Sequence, residues 1–137
     1  MPEVTTVEDA RNTVAACKYP PVGNRGAFGG WAHFGYRGIP TAEARKAIND
    51  ATLVILMIES KAALANIEAI AAVPGVDVIH IGTNDLSTAL GHPGEMADPD
   101  VMAAVERVVK ACRANGKHAG VGGLYGGGDA AKALASV

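Results

Sequence analysis

Two apolar runs that lead into acidic residues constrain the fold of this chain more than any other feature. Residues 53–58 are all apolar and run straight into Glu59, and the mostly apolar residues 76–81 lead through Gly82 to Asp85. The interval between the two acids has room for one strand, one helix and two turns, which favours neighbouring parallel strands. Ligands of parallel α/β folds bind at the edge where such strands end.

Strand and helix signals alternate along the rest of the chain. Helices are predicted over residues 5–17, 41–49, 61–72, 99–115 and 129–136, strands over 53–59, 76–82 and 118–122, and a polar loop over 83–97. Thr41 and Asp98 are the predicted N-caps of their helices. Because the strands are apolar on both faces, we expect a parallel sheet covered on both sides. A doubly wound sheet and a (β/α) barrel both fit this α/β pattern.

Composition limits the classes of function. The 137 residues suit a single domain, residues 1–137, and a net charge of −2 gives no electrostatic reason to expect nucleic acid as a partner. We also expect no membrane association, because no apolar run approaches the roughly 20 residues that span a bilayer. Residues 1–6 lack the features of a signal peptide. Cys17 and Cys112 have no metal-ligand spacing and are expected to be free thiols, so a cytoplasmic location is predicted.

Glu59 and Asp85 are the strongest candidates for chemistry. Two carboxylates on rigid supports at one sheet edge are typical ligands of a hard divalent cation such as Mg²⁺, with water and substrate oxygens completing the shell. The alternative is that each acid merely caps the helix that follows its strand. Residues 82–87 also leave two interpretations open, because their backbone N–H groups could hold a substrate carboxylate or form an ordinary turn.

The remaining motifs are weaker. Residues 120–128 are rich in glycine and could cradle a phosphate or form a flexible loop, but they match neither a Walker nor a dinucleotide pattern. Arg25 either fixes its loop through an ion pair or binds an anion. His80 lies inside a predicted strand and is expected to be a packed core or lumen residue. The other three histidines have no partner that can be read from sequence: His33, His92 and His118.

Several segments together resemble the HpcH/HpaI family of class II pyruvate-dependent aldolases. They are residues 19–26, 58–60, 66–70, 74–77, 81–87, 90–94 and 116–120. The resemblance implies a (β/α)₈ TIM-type barrel that binds Mg²⁺, Mn²⁺ or Co²⁺ and cleaves 4-hydroxy-2-oxo acids to pyruvate and an aldehyde. It further implies that Glu59 and Asp85 bind the metal, and that the backbone of Asn84 and Asp85 contacts the pyruvate carboxylate. The cation would stabilise the enolate formed on cleavage.

The chain departs from the family pattern at two residues and in its length. Met57 stands where many members have a substrate-contacting glutamine, and Asn84 stands where many have alanine. The chain is also short for a full barrel and resembles the part from late strand four to helix seven. The family's histidine base and its arginine lie upstream of that part, so no catalytic residue is expected within these 137 residues. We therefore expect the chain to pair with its missing half or to form a homo-oligomer with copies of itself.

Two other functions are compatible with the same residues. One is a citrate-lyase or acyl-CoA-lyase type of enzyme from the same superfamily, which also uses metal-held carboxylates. The other is a non-catalytic fragment that binds a metal or an oxo acid. The absence of an upstream base favours the second alternative for the isolated chain, whereas the pair Glu59 and Asp85 favours an aldolase.

Overall fold

Helices and strands alternate along residues 1–27 and 29–122, which are the residues described by the structure, a computed structural model. The helices in this part are α1 (Val7–Cys17), α2 (Thr41–Ala51), α3 (Lys61–Ala65), α4 (Ile67–Ala71), α5 (Thr83–Leu90) and α6 (Pro99–Ala114). The strands are β1 (Ile55–Ile58), β2 (Val78–Gly82) and β3 (His118–Gly122), and a short 3₁₀ turn spans Ala32–Phe34. None of the helices described is long and apolar enough to cross a bilayer.

The three strands form a parallel sheet in the order β1–β2–β3. In its register Met57 pairs with His80, which pairs with Gly120, and Gly82 pairs with Gly122. The predicted α/β class with a parallel sheet is confirmed. The chain start also runs beside β1, because the Met1 amino group donates to the Ile55 carbonyl at 2.8 Å and the Met57 N–H donates to the Met1 carbonyl at 2.8 Å.

The core lies between one face of the sheet and the helices. Its strand and helix side chains are almost fully buried: Leu56, Ile58, Ile79, Ile81, Ile67, Ile70, Val105 and Val108. Successive strand residues point to opposite faces, and on the second face Met57 is only partly buried while Ile55 is 44% exposed. The expectation of a sheet covered on both sides therefore does not hold for residues 1–27 and 29–122, since their helices cover only one face.

Two predicted elements differ from the structure. The helix predicted over 61–72 is divided at Asn66, which leaves helical geometry at φ −101° and ψ 7° and whose side-chain amide donates to the Thr5 carbonyl at 2.8 Å. The loop predicted over 83–97 begins with α5, because Leu86 and Ser87 bury one side of that segment. Gly91, at φ 101°, then ends α5 in the left-handed region that glycine tolerates.

The helix caps agree with prediction in one case and not in the other. Asp98 caps α6, with its carboxylate accepting from the Asp100 N–H at 2.8 Å and Pro99 in the first turn, as predicted. Thr41 is not a cap, because α2 starts at Thr41 itself and the N-cap position falls on Pro40, which has no side-chain acceptor. The helix predicted over 129–136 lies outside the described residues, as do residues 123–128 of the glycine-rich segment.

Candidate functional site

A cavity of about 720 Å³ opens at the edge of the sheet where β1 and β2 end. Its lining includes Glu59, which directly follows β1, and Asp85, which lies in the first turn of α5 directly after β2. The other lining residues come from the chain start and from the turn after β1: Pro2, Glu3, Thr5 and Ser60. The structure thus brings the two acids that the sequence singled out to one cavity.

One carboxylate oxygen of Glu59 accepts a hydrogen bond, and the other accepts none from the part of the chain that the structure describes. The Glu3 backbone N–H donates to Oε1 of Glu59 at 2.6 Å. On the other side lies Gly82, where an added Cβ would be 3.1 Å from Oε2 of Glu59 and 3.1 Å from its Cβ. The glycine therefore leaves room at this carboxylate that any larger residue would reduce. Ser60, not Glu59, caps α3, since its hydroxyl accepts from the Ala63 N–H at 3.1 Å.

Asp85 is exposed, and its carboxylate has no hydrogen-bond partner among residues 1–27 and 29–122. Helix α5 has Gly82 at its N-cap and no side-chain cap, so Asp85 does not cap it. The alternative that both acids serve as helix caps is therefore wrong. The first backbone N–H groups of α5 lack acceptors within the helix, and the helix dipole adds positive potential there. Anions bind readily at such a helix start.

Asn84 and Met57, the two other residues predicted to contact substrate, are not among the described residues that line this cavity. Asn84 is exposed in the first turn of α5, and its carbonyl accepts from the hydroxyls of Ser87 and Thr88, each at 2.9 Å. Met57 is half-buried on the same face of the sheet as Glu59, with its sulfur 3.3 Å from the position of a Cβ at Gly82. Met57 thus borders the carboxylate site with a side chain that donates no hydrogen bond.

His92 has two acidic partners that the sequence did not reveal. Its Nδ1 lies 3.2 Å from Oδ2 of Asp98, and its Nε2 lies 3.4 Å from Oδ2 of Asp100. Ligand atoms of His92, Glu95 and Asp98 all lie within 4.8 Å of one another, a spacing that could hold a metal. However, both ring nitrogens already face carboxylates, and Asp98 is the cap of α6. The contacts account for His92 as a link between the α5–α6 loop and α6, whereas His33 and His118 are exposed.

Arg25 packs on an aromatic ring instead of forming an ion pair within the described part of the chain. Its guanidinium lies 4.8 Å from the centre of the Tyr19 ring, and Tyr19 in turn meets Trp31 edge-to-face at 5.5 Å. The Asn49 side chain exchanges two hydrogen bonds with the backbone of Tyr19, at 2.7 and 3.0 Å. Arg25 therefore belongs to a cluster that fixes its loop, although the predicted ion pair is absent from these residues.

The cysteines offer no nucleophile at this edge. Both are free thiols, as predicted. Burial raises the pKa of the Cys112 thiol, which favours its unreactive protonated form.

Comparisons with known proteins match most of the chain to one family. The family model of the HpcH/HpaI aldolase/citrate lyase family matches residues 1–134. A 4-hydroxy-4-methyl-2-oxoglutarate aldolase of Chaetomium globosum is 42% identical over 125 residues, which are 90% of this chain and 46% of that protein. A 2-keto-3-deoxy-L-rhamnonate aldolase of Klebsiella pneumoniae is 40% identical over 120 residues, 88% of this chain and 45% of that protein.

Solved structures give the same result. An HpcH/HpaI aldolase from Desulfitobacterium hafniense superposes with a TM-score of 0.84 at 35% identity, covering 96% of this chain and 49% of that one. The citrate synthase SbnG superposes with a TM-score of 0.81 at 30% identity, covering 98% of this chain and 50% of that one. The chain spans about half the length of the curated relatives it matches. On these grounds, the chain belongs to the HpcH/HpaI aldolase/citrate lyase family, an enzyme family whose relatives at about 40% identity are aldolases.

Proposed function

We propose that this chain supplies the metal- and pyruvate-binding part of an aldolase that cleaves a 4-hydroxy-2-oxo acid to pyruvate and an aldehyde. The observation that carries the proposal is that Glu59 and Asp85 line one cavity at the strand-end edge of a parallel sheet. Relatives that are about 40% identical are named as aldolases of oxo acids, which supports the same substrate class here. The one-sided helix cover of the sheet supports a (β/α)-barrel segment over a doubly wound sheet.

The donor set fits a hard divalent cation such as Mg²⁺, Mn²⁺ or Co²⁺. Such cations take carboxylate oxygens and complete their shell with water and substrate oxygens. The Glu3 N–H occupies Oε1 of Glu59 and so orients the carboxylate, while Oε2 faces the space that Gly82 leaves open. The Asp85 carboxylate accepts no hydrogen bond from the described residues, so it is available as a second ligand.

The start of α5 gives the site a second binding element. The N–H groups of Asn84 and Asp85 lie in the first turn of that helix and have no acceptor among residues 1–27 and 29–122, so the carboxylate of a 2-oxo acid would be stabilised there. Glu59 and Asp85 are the residues that would hold the cation. When bound, the cation supplies Lewis-acid stabilisation of the negative charge that develops on the oxygen of the departing pyruvate, worth several kcal/mol.

We propose that the exposed apolar surface at β1 packs against a further (β/α) segment or against a second copy of this chain. Leu53 is 64% exposed and Ile55 is 44% exposed, and both are large apolar residues at or before β1. Exposed apolar surface of this kind marks an association site. The resemblance implies that a histidine base and an arginine lie in a further segment of the barrel. A general base contributes roughly 10²–10⁴-fold to the rate, so we propose that full turnover requires that segment.

A citrate-lyase type of reaction is the second candidate. The family description includes citrate lyase, and the likeness to citrate synthase SbnG favours this alternative. Both candidates use the same metal-held carboxylates, so they differ in substrate rather than in ligands. Release of pyruvate from 4-hydroxy-2-oxopentanoate supports the aldolase, whereas turnover restricted to citrate supports the alternative.

The metal site is tested by calorimetric titration of Mn²⁺ into the full chain and its variants. Glu59→Gln and Asp85→Asn are each expected to weaken Mn²⁺ binding at least tenfold, because each removes a charged ligand. Glu106→Gln is the matched control, since Glu106 is an exposed acid on α6 that lines a different cavity. Mn²⁺ binding that is equally strong in Glu59→Gln and in the wild type would refute the proposal.

A further inference from the structure

His80 lies on the same face of the sheet as Glu59, with its ring tilted toward the strand ends. Its Nδ1 is 3.0 Å from the position that a Cβ at Gly120 would take, and its Nε2 is 2.4 Å from the corresponding position at Gly122. Gly120 is the register partner of His80, whereas Gly122 is two residues closer to the strand ends. The ring therefore extends from the level of its register partner Gly120 to the level of Gly122 and Gly82. Glu59, one residue beyond the end of β1, lies at that same level of the sheet.

Two glycines create the space for this ring. A Cβ at Gly122 would overlap Nε2 of His80, and a Cβ at Gly120 would press on Nδ1. A Cβ at Gly82 would likewise crowd Glu59 and Met57. Glycine weakens a strand interior, so three glycines on one small area need a reason. Gly120 and Gly122 make room for the imidazole of His80 over β3, and Gly82 keeps the surface of β2 open between that ring and the carboxylate of Glu59.

The polar edge of His80 is available for a ligand. The side chain is only partly buried, and neither ring nitrogen has a hydrogen-bond partner within residues 1–27 and 29–122. Its neighbour across the β1–β2 ladder is Met57, which donates no hydrogen bond. His80 does not form a group of three with Glu59 and Asp85, since among the described residues the potential ligand atoms that lie within 4.8 Å of one another belong to His92, Glu95 and Asp98.

We propose that His80 binds the hydroxyl-bearing, aldehyde-derived end of the substrate through a hydrogen bond at Nε2, and so acts as a specificity-determining residue. The inference rests on the proposed function. Neighbouring strands are about 4.8 Å apart, so a ring over β2 and β3 stands one to two strand spacings from Glu59. That interval suits a 4-hydroxy-2-oxo acid whose carboxylate lies at the start of α5 and whose 2-oxo group lies beside the cation that Glu59 and Asp85 would hold. Pyruvate, which lacks the hydroxyl-bearing end, does not reach His80.

The first experiment compares two probes on the Mn²⁺-loaded full chain, with affinity measured by calorimetry. His80→Ala is expected to weaken binding of 4-hydroxy-2-oxopentanoate about tenfold, the effect of one lost hydrogen bond, with pyruvate and Mn²⁺ affinities unchanged. His80→Gln is the conservative variant, because its amide nitrogen falls near the position of imidazole Nε2. His80→Gln is expected to recover most of the affinity that His80→Ala loses. If His80 only filled space, the recovery would not depend on an amide nitrogen at this position.

The second experiment moves the ring without removing it. Gly122→Ala places a Cβ against Nε2 and is expected to lower affinity for 4-hydroxy-2-oxopentanoate as much as His80→Ala does. The double variant should lose no more than either single variant, since both remove the same contact. Gly122→Ala retains the histidine, so it tests the proposal even if a His80 variant is poorly folded in a thermal melt.

The outcomes separate this inference from the proposed function. Unchanged affinity of His80→Ala for both probes would overturn it, and so would an equal loss for pyruvate and 4-hydroxy-2-oxopentanoate. In either case Mn²⁺ binding that depends on Glu59 leaves the proposed function standing. Failure of the wild-type chain to bind Mn²⁺ through Glu59 would overturn the proposed function and this inference with it.

Discussion

The backbone N–H of Glu3 donates a hydrogen bond of 2.6 Å to Oε1 of Glu59. This contact links the first residues of the chain to the candidate metal ligand across a separation of 56 residues. It is supported by the pairing of Met1 with the backbone of Ile55 and Met57. Hydrogen bonds of this kind orient a metal-ligating carboxylate, and their loss commonly lowers metal affinity about 10- to 100-fold.

Deletion of residues 1–3 is therefore expected to weaken Mn²⁺ binding about tenfold, measured by calorimetry on a chain whose circular dichroism is unchanged. Glu3→Gly is the matched control, because it keeps the donating N–H. Glycine also suits the backbone at this position, where φ is 55°. A loss of affinity in Glu3→Gly as large as in the deletion would show that the Glu3 carboxylate, and not its N–H, supports the site.

Gly82→Ala is expected to weaken Mn²⁺ binding several-fold with little change in melting temperature. The new Cβ would lie 3.1 Å from Oε2 of Glu59 and 3.3 Å from the sulfur of Met57, so the carboxylate must shift by a few tenths of an ångström. Gly38→Ala is the control, since a Cβ there meets no atom within 4 Å. Full Mn²⁺ affinity in Gly82→Ala would show that the carboxylate of Glu59 can shift without weakening metal binding.

The sequence predicted the parts of the fold that depend on local patterns. Apolar runs of strand length located β1 and β2, and the sequence Asp98-Pro99 located the start of α6. It also selected Glu59 and Asp85, because an acid after a buried strand lies at the strand-end edge whatever the remaining packing. Their assignment as metal ligands stays a prediction that the titrations above test.

Features set by tertiary contacts could not be predicted in this way. The break at Asn66 depends on a hydrogen bond to Thr5, which is 61 residues distant. The amphipathic pattern of α5 was hidden among the polar residues of 83–90, where Thr83 and Ser87 are buried beside Leu86. The contact between Glu3 and Glu59 and the space that Gly120 and Gly122 give to His80 depend on strand register, which no single segment encodes.

Arg25→Ala is expected to lower the melting temperature by a few degrees and to leave Mn²⁺ affinity unchanged. The variant loses the contact between the guanidinium and the Tyr19 ring, worth about 1 kcal/mol for a partly exposed pair. Arg25→Lys should recover part of the loss, because an ammonium group also interacts with an aromatic face. A still-folded Arg25→Ala that no longer binds Mn²⁺ or pyruvate would show that Arg25 serves the site directly.

Asp9→Asn is expected to destabilise the chain at neutral pH and to have a vanishing effect in acid. Asp9 and Thr6 form a reciprocal cap at the start of α1, in which Asp9 accepts from the Thr6 N–H at 2.8 Å and donates its own N–H to the Thr6 hydroxyl at 3.1 Å. The hydrogen bonds from Thr6 and Thr5 lower the pKa of the Asp9 carboxyl from 3.8 to about 2.

A carboxyl whose pKa is lowered by folding stabilises the folded state at pH values above its unfolded pKa. The contribution of Asp9 should therefore be complete above about pH 4 and disappear as the pH falls toward 2. Melting temperatures of the wild type and Asp9→Asn, measured from pH 7 downward, should converge over that interval. Glu8→Gln is the control, because Glu8 is the exposed neighbour of Asp9 in the chain and forms only a loose 3.9 Å ion pair with Arg11. A difference between wild type and Asp9→Asn that stays constant down to pH 2 would show that the charge of Asp9 does not stabilise α1.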